Sequence, residues 1–202
     1  MTQPSVTTPS PRLLLASASP RRRELISRLG LEPDLTLAAD IDESTADREP
    51  PRAYARRMAR EKALALREDA AARGMHILGG DTVVSCGHRI LPKAEDEATA
   101  RRCLALLSGR RHRVLSAIAL AAPDGSLRER LAETVVRFKP LSAEEIDGYI
   151  AGGEWHGKAG GYAIQGSAEG LIAWISGSHS AVVGLPLFET RALLRAAGFA
   201  IS

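Results

Sequence analysis

Apolar and polar positions along the chain change period repeatedly, and each change marks the start of a new predicted element. Residues 13–15 are three consecutive leucines, which indicate a short buried strand. Apolar residues then recur at helical spacing between Pro20 and residue 29. Pro20 suits the first helical position, Ser19 suits the N-cap before it, and Gly30 suits the end of the helix. The pattern therefore predicts a strand followed at once by a helix.

Strand and helix patterns continue to alternate along the rest of the chain. In order, they predict a strand at 35–39, a helix at 53–73, a strand at 75–86 with a return strand at 89–91, a helix at 95–108, a hairpin of strands 112–122 and 127–138, a helix from the capping box of Ser142 and Glu145 to residue 150, a strand at 171–175, a turn at 176–180, and a last helix ending near Gly198.

Three consecutive arginines, Arg21, Arg22 and Arg23, occupy the first turn of the first predicted helix. Cations at that end oppose the helix dipole and cost a few tenths to about 1 kcal/mol each. A bound anion would reverse the sign, because the free backbone N–H groups and the arginines would all point toward it. We interpret the stretch as a phosphate cradle. An arginine-rich surface helix is the alternative.

Carboxylates and lysines stand out at four further places. Asp81 directly follows two glycines inside an apolar strand, where a carboxylate needs a partner or a metal, unless it only caps a turn. Asp42 and Glu43 belong to a compact acidic group after the second strand. Lys62 lies beside the apolar stripe of the long helix, where it is either functional or a surface lysine with a buried stem. Lys93 follows the short return strand.

Composition narrows the class of ligand. The 202 residues suffice for one large domain or two small lobes. The 27 basic residues are interspersed with 24 acidic ones, which favours small anionic ligands over nucleic acid.

Cys86 and Cys103 are not in metal-binding spacing, so we expect reduced thiols and no zinc site. We expect residues 1–11 to form a flexible tail. With neither a signal peptide nor a membrane-spanning run, the expected compartment is the cytoplasm.

One stretch imitates a different nucleotide-binding motif. Residues 152–158 have the spacing with which a P-loop begins, with glycines at both ends of the loop and a lysine last. The next residue is Ala159, so the hydroxyl that would hold magnesium is missing, and the stretch follows a predicted helix instead of a strand. We therefore exclude a P-loop.

Seven segments together resemble the Maf family of nucleotide pyrophosphatases, in order and over nearly the whole chain. They are residues 16–22, 61–63, 80–84, 107–109 with His112, 158–160, 164–166 and 183–186. The resemblance implies an α/β fold like that of Maf and inosine triphosphatase proteins, in which a mixed twisted sheet forms two lobes around a central cleft. It also implies one domain over residues 12–202 and a homodimer.

The implied reaction is hydrolysis of a nucleoside triphosphate between its α- and β-phosphates, with a divalent cation such as Mg²⁺, Mn²⁺ or Co²⁺. By the resemblance, Asp81 activates water as the catalytic base or binds the metal, and Glu43 is a metal ligand. The residues that would hold the phosphates are Ser17, Arg22, Lys62 and Lys93. Asp42 is a further candidate ligand on chemistry alone, because hard cations prefer carboxylate oxygen. This chain has Pro92 and Ala94 around Lys93, where the family usually has Gly and Pro, so the direction of Lys93 is in question.

Three positions resemble the subfamily that acts on thymidine and uridine triphosphates, namely Arg21, Thr82 and Gln165. The sister subfamily, which acts on 7-methylguanosine triphosphate, has Trp, Gln and Glu there. A glutamine amide matches the carbonyls and N–H of a neutral pyrimidine, whereas a cationic purine suits an aromatic ring and a carboxylate. The sequence therefore favours dTTP and UTP. Alternatives are CTP or modified pyrimidine triphosphates, and a regulator of septum formation that acts by binding.

Overall fold

The computed structural model describes residues 10–201 and contains a mixed β-sheet with helices on both faces. The strands are β1 (Leu13–Ala16), β2 (Leu35–Leu37), β3 (His76–Cys86), β4 (Arg89–Leu91), β5 (Lys93–Ala94), β6 (Arg111–Ala121), β7 (Leu127–Phe138), β8 (Lys158–Ala159) and β9 (Ile172–Ser176). The helices are α1 (Pro20–Ser27), α2 (Pro51–Ala65), α3 (Glu97–Leu107), α4 (Ala143–Ala151), α5 (His179–Val183) and α6 (Leu187–Ala196), with short 3₁₀ turns at Ala70–Ala72 and Ser167–Leu171. The α/β fold class expected from the resemblance is confirmed. Of the tail expected at 1–11, residues 1–9 lie outside the described part.

The main sheet has the strand order β2-β1-β3-β6-β7-β9, and β4 pairs with one end of β3. β1 runs parallel to both β2 and β3, whereas β3, β6, β7 and β9 pair antiparallel. β1 is buried along its whole length, as expected for a central parallel strand. β5 and β8 form a separate two-stranded ribbon.

Three apolar clusters surround the sheet and divide the protein into two lobes. In the first lobe, one cluster joins β1 to α1 and α6 through residues such as Leu25 and Leu193, and another joins the opposite face to α2 through Ala59 and Ala63. The third cluster, which includes Leu104, packs α3 and α4 against the far end of the sheet and forms the second lobe. The long β-strands connect the lobes.

Two sequence predictions are wrong, and both errors have a local cause. The helix predicted at 53–73 begins at Pro51 and ends at Ala65, because Asp69 accepts a hydrogen bond from the backbone N–H of Ala71 and starts a separate 3₁₀ turn. The turn predicted at 176–180 contains the start of α5, which Ser178 caps by accepting a hydrogen bond from the N–H of Ala181. The other predicted boundaries lie within two residues of those observed.

Within residues 10–201, none of the helices combines the length and the apolar character that crossing a membrane requires.

Candidate active site

A cavity of about 320 Å³ lies between α1, β3 and the β5–β8 ribbon. Its walls include every residue to which the family resemblance gives a role in catalysis, substrate binding or metal binding. These residues are Ser17, Arg21, Arg22, Glu43, Lys62, Asp81, Thr82, Lys93 and Gln165. The fold therefore brings into one place residues that lie as far apart in sequence as Ser17 and Gln165.

One part of this wall is a cluster of two lysines and two carboxylates. The Nζ atom of Lys62 lies 2.7 Å from an Oδ1 atom of Asp81 and 2.6 Å from an Oε1 atom of Glu43. Lys93 Nζ lies 2.6 Å from the other carboxylate oxygen of Glu43. Lys62 and Asp81 are almost fully buried, so each depends on the other for compensation of its charge.

Close packing of α2 on β3 creates the Lys62–Asp81 pair. Gly79 lies in β3 under α2, where a Cβ atom would overlap the carbonyl oxygen of Ala59 and lie 2.6 Å from the backbone nitrogen of Ala63. A residue without a side chain at position 79 thus allows the helix to approach the strand. Lys62 of the helix consequently reaches Asp81 of the strand.

The lysines keep Glu43 ionised. Burial on its own would raise the pKa of Glu43, but hydrogen bonds from Lys62 and Lys93 outweigh burial and lower this pKa to about 2. Next to it, the hydroxyl of Tyr54 donates a hydrogen bond of 2.7 Å to the backbone carbonyl of Glu43. Burial, together with the charges of Asp81 and Glu43, raises the pKa of Tyr54 to about 12, so Tyr54 remains a donor that anchors the acidic loop.

Arg22 forms the centre of the predicted phosphate cradle. Its Nε donates to the carbonyl oxygen of Gly184 at 2.9 Å, and its Nη1 donates to Ser17 Oγ at 3.1 Å. Burial lowers the pKa of Arg22, and the charge of Asp81 opposes that shift. The predicted N-cap is confirmed at Ser19, although its side chain makes no capping hydrogen bond. One detail of the predicted cradle is wrong, because Arg23 is exposed and lies 3.7 Å from Glu32.

Thr82 and Gln165 line the same cavity as Arg21 and Arg22. The Oγ1 atom of Thr82 is 3.1 Å from Ser116 Oγ and 3.3 Å from the carbonyl oxygen of Gly184, to which it donates. Gln165 precedes Gly166, where a Cβ atom would overlap the carboxylate of Glu154. That carboxylate accepts a 2.8 Å hydrogen bond from the N–H of Ser167, which fixes the backbone beside Gln165.

The structure shows whether Asp42 belongs to the site and in which direction Lys93 points. Asp42 does not line the cavity, and its carboxylate accepts hydrogen bonds from the N–H and hydroxyl of Ser44. The prediction that Asp42 belongs to the site as a metal ligand is therefore wrong. Lys93 does line the cavity and points to Glu43, so the unusual neighbours Pro92 and Ala94 do not turn it away.

Lys158 lines the cavity too, although the sequence analysis gave it no role. The signal was present, because Lys158 lies in one of the segments that carry the family resemblance. His112 also lies in such a segment, and it contacts the site indirectly, through a residue of the cavity wall. Its Nε2 atom is 2.8 Å from the hydroxyl of Tyr162, a buried residue at the cavity wall.

Glu43 and Asp81 are the two carboxylates that line the cavity and could hold a metal ion. Among residues 10–201 there is no group of three or more His, Cys, Asp or Glu side chains that would hold a metal unaided. Both carboxylates reach the same ammonium group of Lys62, so they converge on one place. Mg²⁺ commonly binds through one or two carboxylates and completes its shell with substrate phosphates and water. The pair therefore fits a cation that is shared with a phosphorylated substrate.

Comparison with known proteins identifies the family. The model of the Maf-like protein family matches residues 12–197. A relative from Novosphingobium aromaticivorans, named dTTP/UTP pyrophosphatase, is 70% identical over 189 residues, which cover 94% of this chain and 93% of the relative. A protein of the same name from Rhodospirillum rubrum is 58% identical over 187 residues, which cover 93% and 88%.

A solved structure, the nucleoside-triphosphatase / dITP/XTP pyrophosphatase of Mycobacterium abscessus, is similar over 92% of this chain and 93% of its own. Its sequence identity of 16% and TM-score of 0.46 are too low to support any conclusion about this chain. The family match and the two sequence relatives are sufficient by themselves: the chain belongs to the Maf-like protein family.

Proposed function

We propose that this protein is a nucleotide pyrophosphatase that hydrolyses dTTP and UTP to the nucleoside monophosphate and pyrophosphate. The observation that carries the proposal is the cavity itself, in which the buried Asp81 and the more exposed Glu43 face several cationic side chains. Hydrolysis of a phosphoanhydride needs both, because water must be activated while negative charge develops on the departing phosphates. The names of the 70% and 58% identical relatives support the same reaction and substrates.

Asp81 is the proposed base. Its carboxylate takes a proton from the water whose oxygen attacks the α-phosphorus, and the bond to the bridging oxygen breaks so that pyrophosphate leaves with the bonding electrons. Lys62, at 2.7 Å, compensates the charge of Asp81 and fixes its orientation. Arg22 and Lys93 bind phosphate oxygens and stabilise the charge on the leaving group, while the Ser17 hydroxyl orients Arg22.

Glu43 and Asp81 would hold the divalent cation, Mg²⁺, Mn²⁺ or Co²⁺. When bound, such an ion polarises phosphate oxygens and neutralises part of their charge. Glu43 is suited to this role because its pKa of about 2 keeps it charged at neutral pH. Lys62 and Lys93 hold the same carboxylate oriented toward the cavity.

Base selection is proposed to involve Thr82, Arg21 and Gln165. The side-chain amide of Gln165 offers one acceptor and two donors, which match the N–H and a carbonyl of uracil or thymine. The backbone beside Gln165 is held by Glu154 through Ser167, so the amide approaches the base from a fixed position. Preference for pyrimidines follows from that match.

The proposed ligand is a nucleoside triphosphate, and we propose that the protein binds neither nucleic acid nor a membrane. The proposed compartment is the cytoplasm. We propose a homodimer, as the family resemblance implies. Sedimentation at micromolar concentration checks the mass, and a monomer would contradict it.

The test is pyrophosphate release from dTTP, UTP, CTP, GTP, ATP and 7-methyl-GTP with Mg²⁺ or Mn²⁺. We expect preferential turnover of dTTP and UTP, and a loss of about 10³-fold or more in Asp81→Asn, because that variant lacks the base. Asp124→Asn is the matched control, since this exposed aspartate lies in a turn and bonds to Ser126. Turnover mainly of 7-methyl-GTP would refute the base assignment. No turnover of any triphosphate would refute the reaction and favour a binding role.

A further inference from the structure

The cations that line the cavity differ in how their charges are compensated. Lys62 and Lys93 are each within 2.7 Å of a carboxylate oxygen, and Arg22 bonds to a carbonyl and a hydroxyl. In the part of the chain that the structure describes, neither Arg21 nor Lys158 has a carboxylate within ion-pair distance. These two cations therefore have capacity for an anion from outside.

Arg21 is the less constrained of the two. It is the second residue of α1 and lines the cavity, and between residues 10 and 201 no group bonds to its guanidinium. Partial burial lowers the pKa of Arg21. A guanidinium has five N–H donors, and for a group taken partly out of water these donors need acceptors. Arg21 is thus a half-buried cation without an acceptor.

Lys158 of β8 lines the same cavity as Arg21 of α1. Its Nζ donates one hydrogen bond of 2.9 Å, to the carbonyl oxygen of His156, and an ammonium group has three protons to donate. Burial lowers the pKa of Lys158, and the positive charge of Arg21 is the next cause. Both side chains line the same cavity of about 320 Å³, so two positive charges face one small space.

The fold prevents this repulsion from relaxing by movement of the backbone. Gly157 N–H donates to the carbonyl of Ala94 at 2.8 Å, and Gly160 N–H donates to the carbonyl of Pro92 at 3.0 Å, so both ends of β8 are tied to β5. At Gly160 a Cβ atom would lie only 2.8 Å from Val84 Cγ1, so the ribbon packs directly on β3. The backbone that carries Lys158 is thereby held against β3.

We propose that Arg21 and Lys158 form a two-sided clamp for a phosphate group of the nucleotide's triphosphate chain, a subsite that rests on the proposed function and deepens it. A phosphate between them relieves the repulsion and supplies acceptors to both side chains. A neutral pyrimidine does not relieve it, because it brings no negative charge. The clamp makes Lys158 a substrate-binding residue and gives Arg21 a role in phosphate binding as well as in base selection.

The test measures binding of inorganic tripolyphosphate, a probe that has no base, and of UTP. Calorimetric titrations without added divalent cation use the full-length Asp81→Asn protein, so that turnover does not interfere. In that background, Lys158→Gln and Arg21→Gln are each expected to weaken tripolyphosphate and UTP binding about tenfold, the size of one charge-assisted hydrogen bond. Lys158→Arg retains the charge and is expected to bind within about threefold of the parent.

Lys139→Gln is the matched control, because it removes the same charge from the one lysine of the chain that does not line the cavity and that bonds to Glu145 instead. Unchanged tripolyphosphate affinity in Lys158→Gln and Arg21→Gln would overturn the clamp. Equal weakening by Lys139→Gln would also overturn it, since the effect would then reflect net charge alone. A different result would refute the proposed function and leave the clamp standing. In that case the wild type would release no pyrophosphate from any triphosphate, while Lys158→Gln and Arg21→Gln would still weaken tripolyphosphate binding.

Discussion

Ion pairs hold the charged side chains of the cavity wall in place. Lys62 contacts Asp81 and Glu43 with one ammonium group, and Lys93 adds a second contact to Glu43. Loss of one partner from such a cluster leaves a buried charge uncompensated, which costs more than the pair contributes net. The arrangement therefore keeps Glu43 ionised and holds both carboxylates at the cavity wall.

His112 provides a prediction of pH dependence. The residue is 2% exposed, and burial lowers its pKa from 6.5 to about 4. Between these values the unfolded chain binds a proton that the folded protein does not, so the free energy of unfolding falls as the pH decreases from 6.5 to 4. We expect a loss of about 2–3 kcal/mol from this group over that interval.

Urea unfolding of the wild type and of His112→Gln, at several pH values from 7 to 4, measures this contribution. The glutamine retains a polar group beside Tyr162, 2.8 Å away from His112 in the wild type, but it does not titrate. The difference in stability between the two proteins should therefore shift in favour of the variant as the pH decreases. Parallel curves would show that His112 does not keep its lowered pKa.

Sequence reasoning found the residues whose chemistry conflicts with their surroundings. Asp81 was recognisable because a carboxylate stood in an apolar strand, and Arg21 and Arg22 because cations stood at a helix N-terminus. The same argument failed for Arg23, since the direction of a side chain around a helix depends on packing with α5 and the sheet. Lys158 gave no such signal by itself, because its importance arises from a charge 137 positions away in the chain.

Between elements, the contact of α2 with β3 is the one that sets the geometry of the site. Gly79 allows this contact, because the backbone of α2 at Ala59 and Ala63 occupies the place of a side chain. Lys62 and Asp81 belong to these same two elements. A change in the separation of the helix from the strand therefore also separates the ion pair.

Gly79→Ala tests the tightness of this packing. We expect a loss of about 2–4 kcal/mol in the free energy of unfolding, because the obstructing atoms are backbone and cannot move aside. Gly148→Ala is the matched control. Gly148 lies within α4 with no heavy atom within 4 Å of an added Cβ, so this change should stabilise by about 0.5–1 kcal/mol. Equal effects in chemical denaturation would contradict the packing argument.

Among the elements, the order of strands and helices was predictable and some of their ends were not. The hairpin of β6 and β7 and the capping box of α4 were read directly from alternation and from Ser142 with Glu145. The end of α2 was missed because alanines and charged residues continue a helical pattern beyond Ala65, while Asp69 locally favours a new turn. α5 was missed because five residues are too few to show a period.

At the scale of the whole molecule, β6 connects the two lobes. Ile118 of this strand belongs to the cluster with α1 and α6, Ala117 to the cluster with α2, and Val114 to the cluster with α3 and α4. One strand is thus part of all three apolar clusters. The cavity lies between the lobes, so its walls depend on their common sheet.

We therefore predict that residues 12–202 unfold as one cooperative domain. In differential scanning calorimetry, the calorimetric enthalpy should equal the van't Hoff enthalpy in a single transition, because neither lobe retains a complete core without β6. Leu104→Ala in the second lobe should lower the same transition as Leu25→Ala in the first. Two separate transitions, each sensitive to one variant, would contradict this expectation.

The measurement that tests the central claim most directly is identification of the products formed from UTP by phosphorus NMR. The wild type with Mg²⁺ should produce UMP and pyrophosphate in equal amounts, since the proposed attack is on the α-phosphorus. Asp81→Asn under the same conditions should leave UTP intact. Formation of UDP and inorganic phosphate, or equal turnover by both proteins, would contradict cleavage between the α- and β-phosphates with Asp81 as the base.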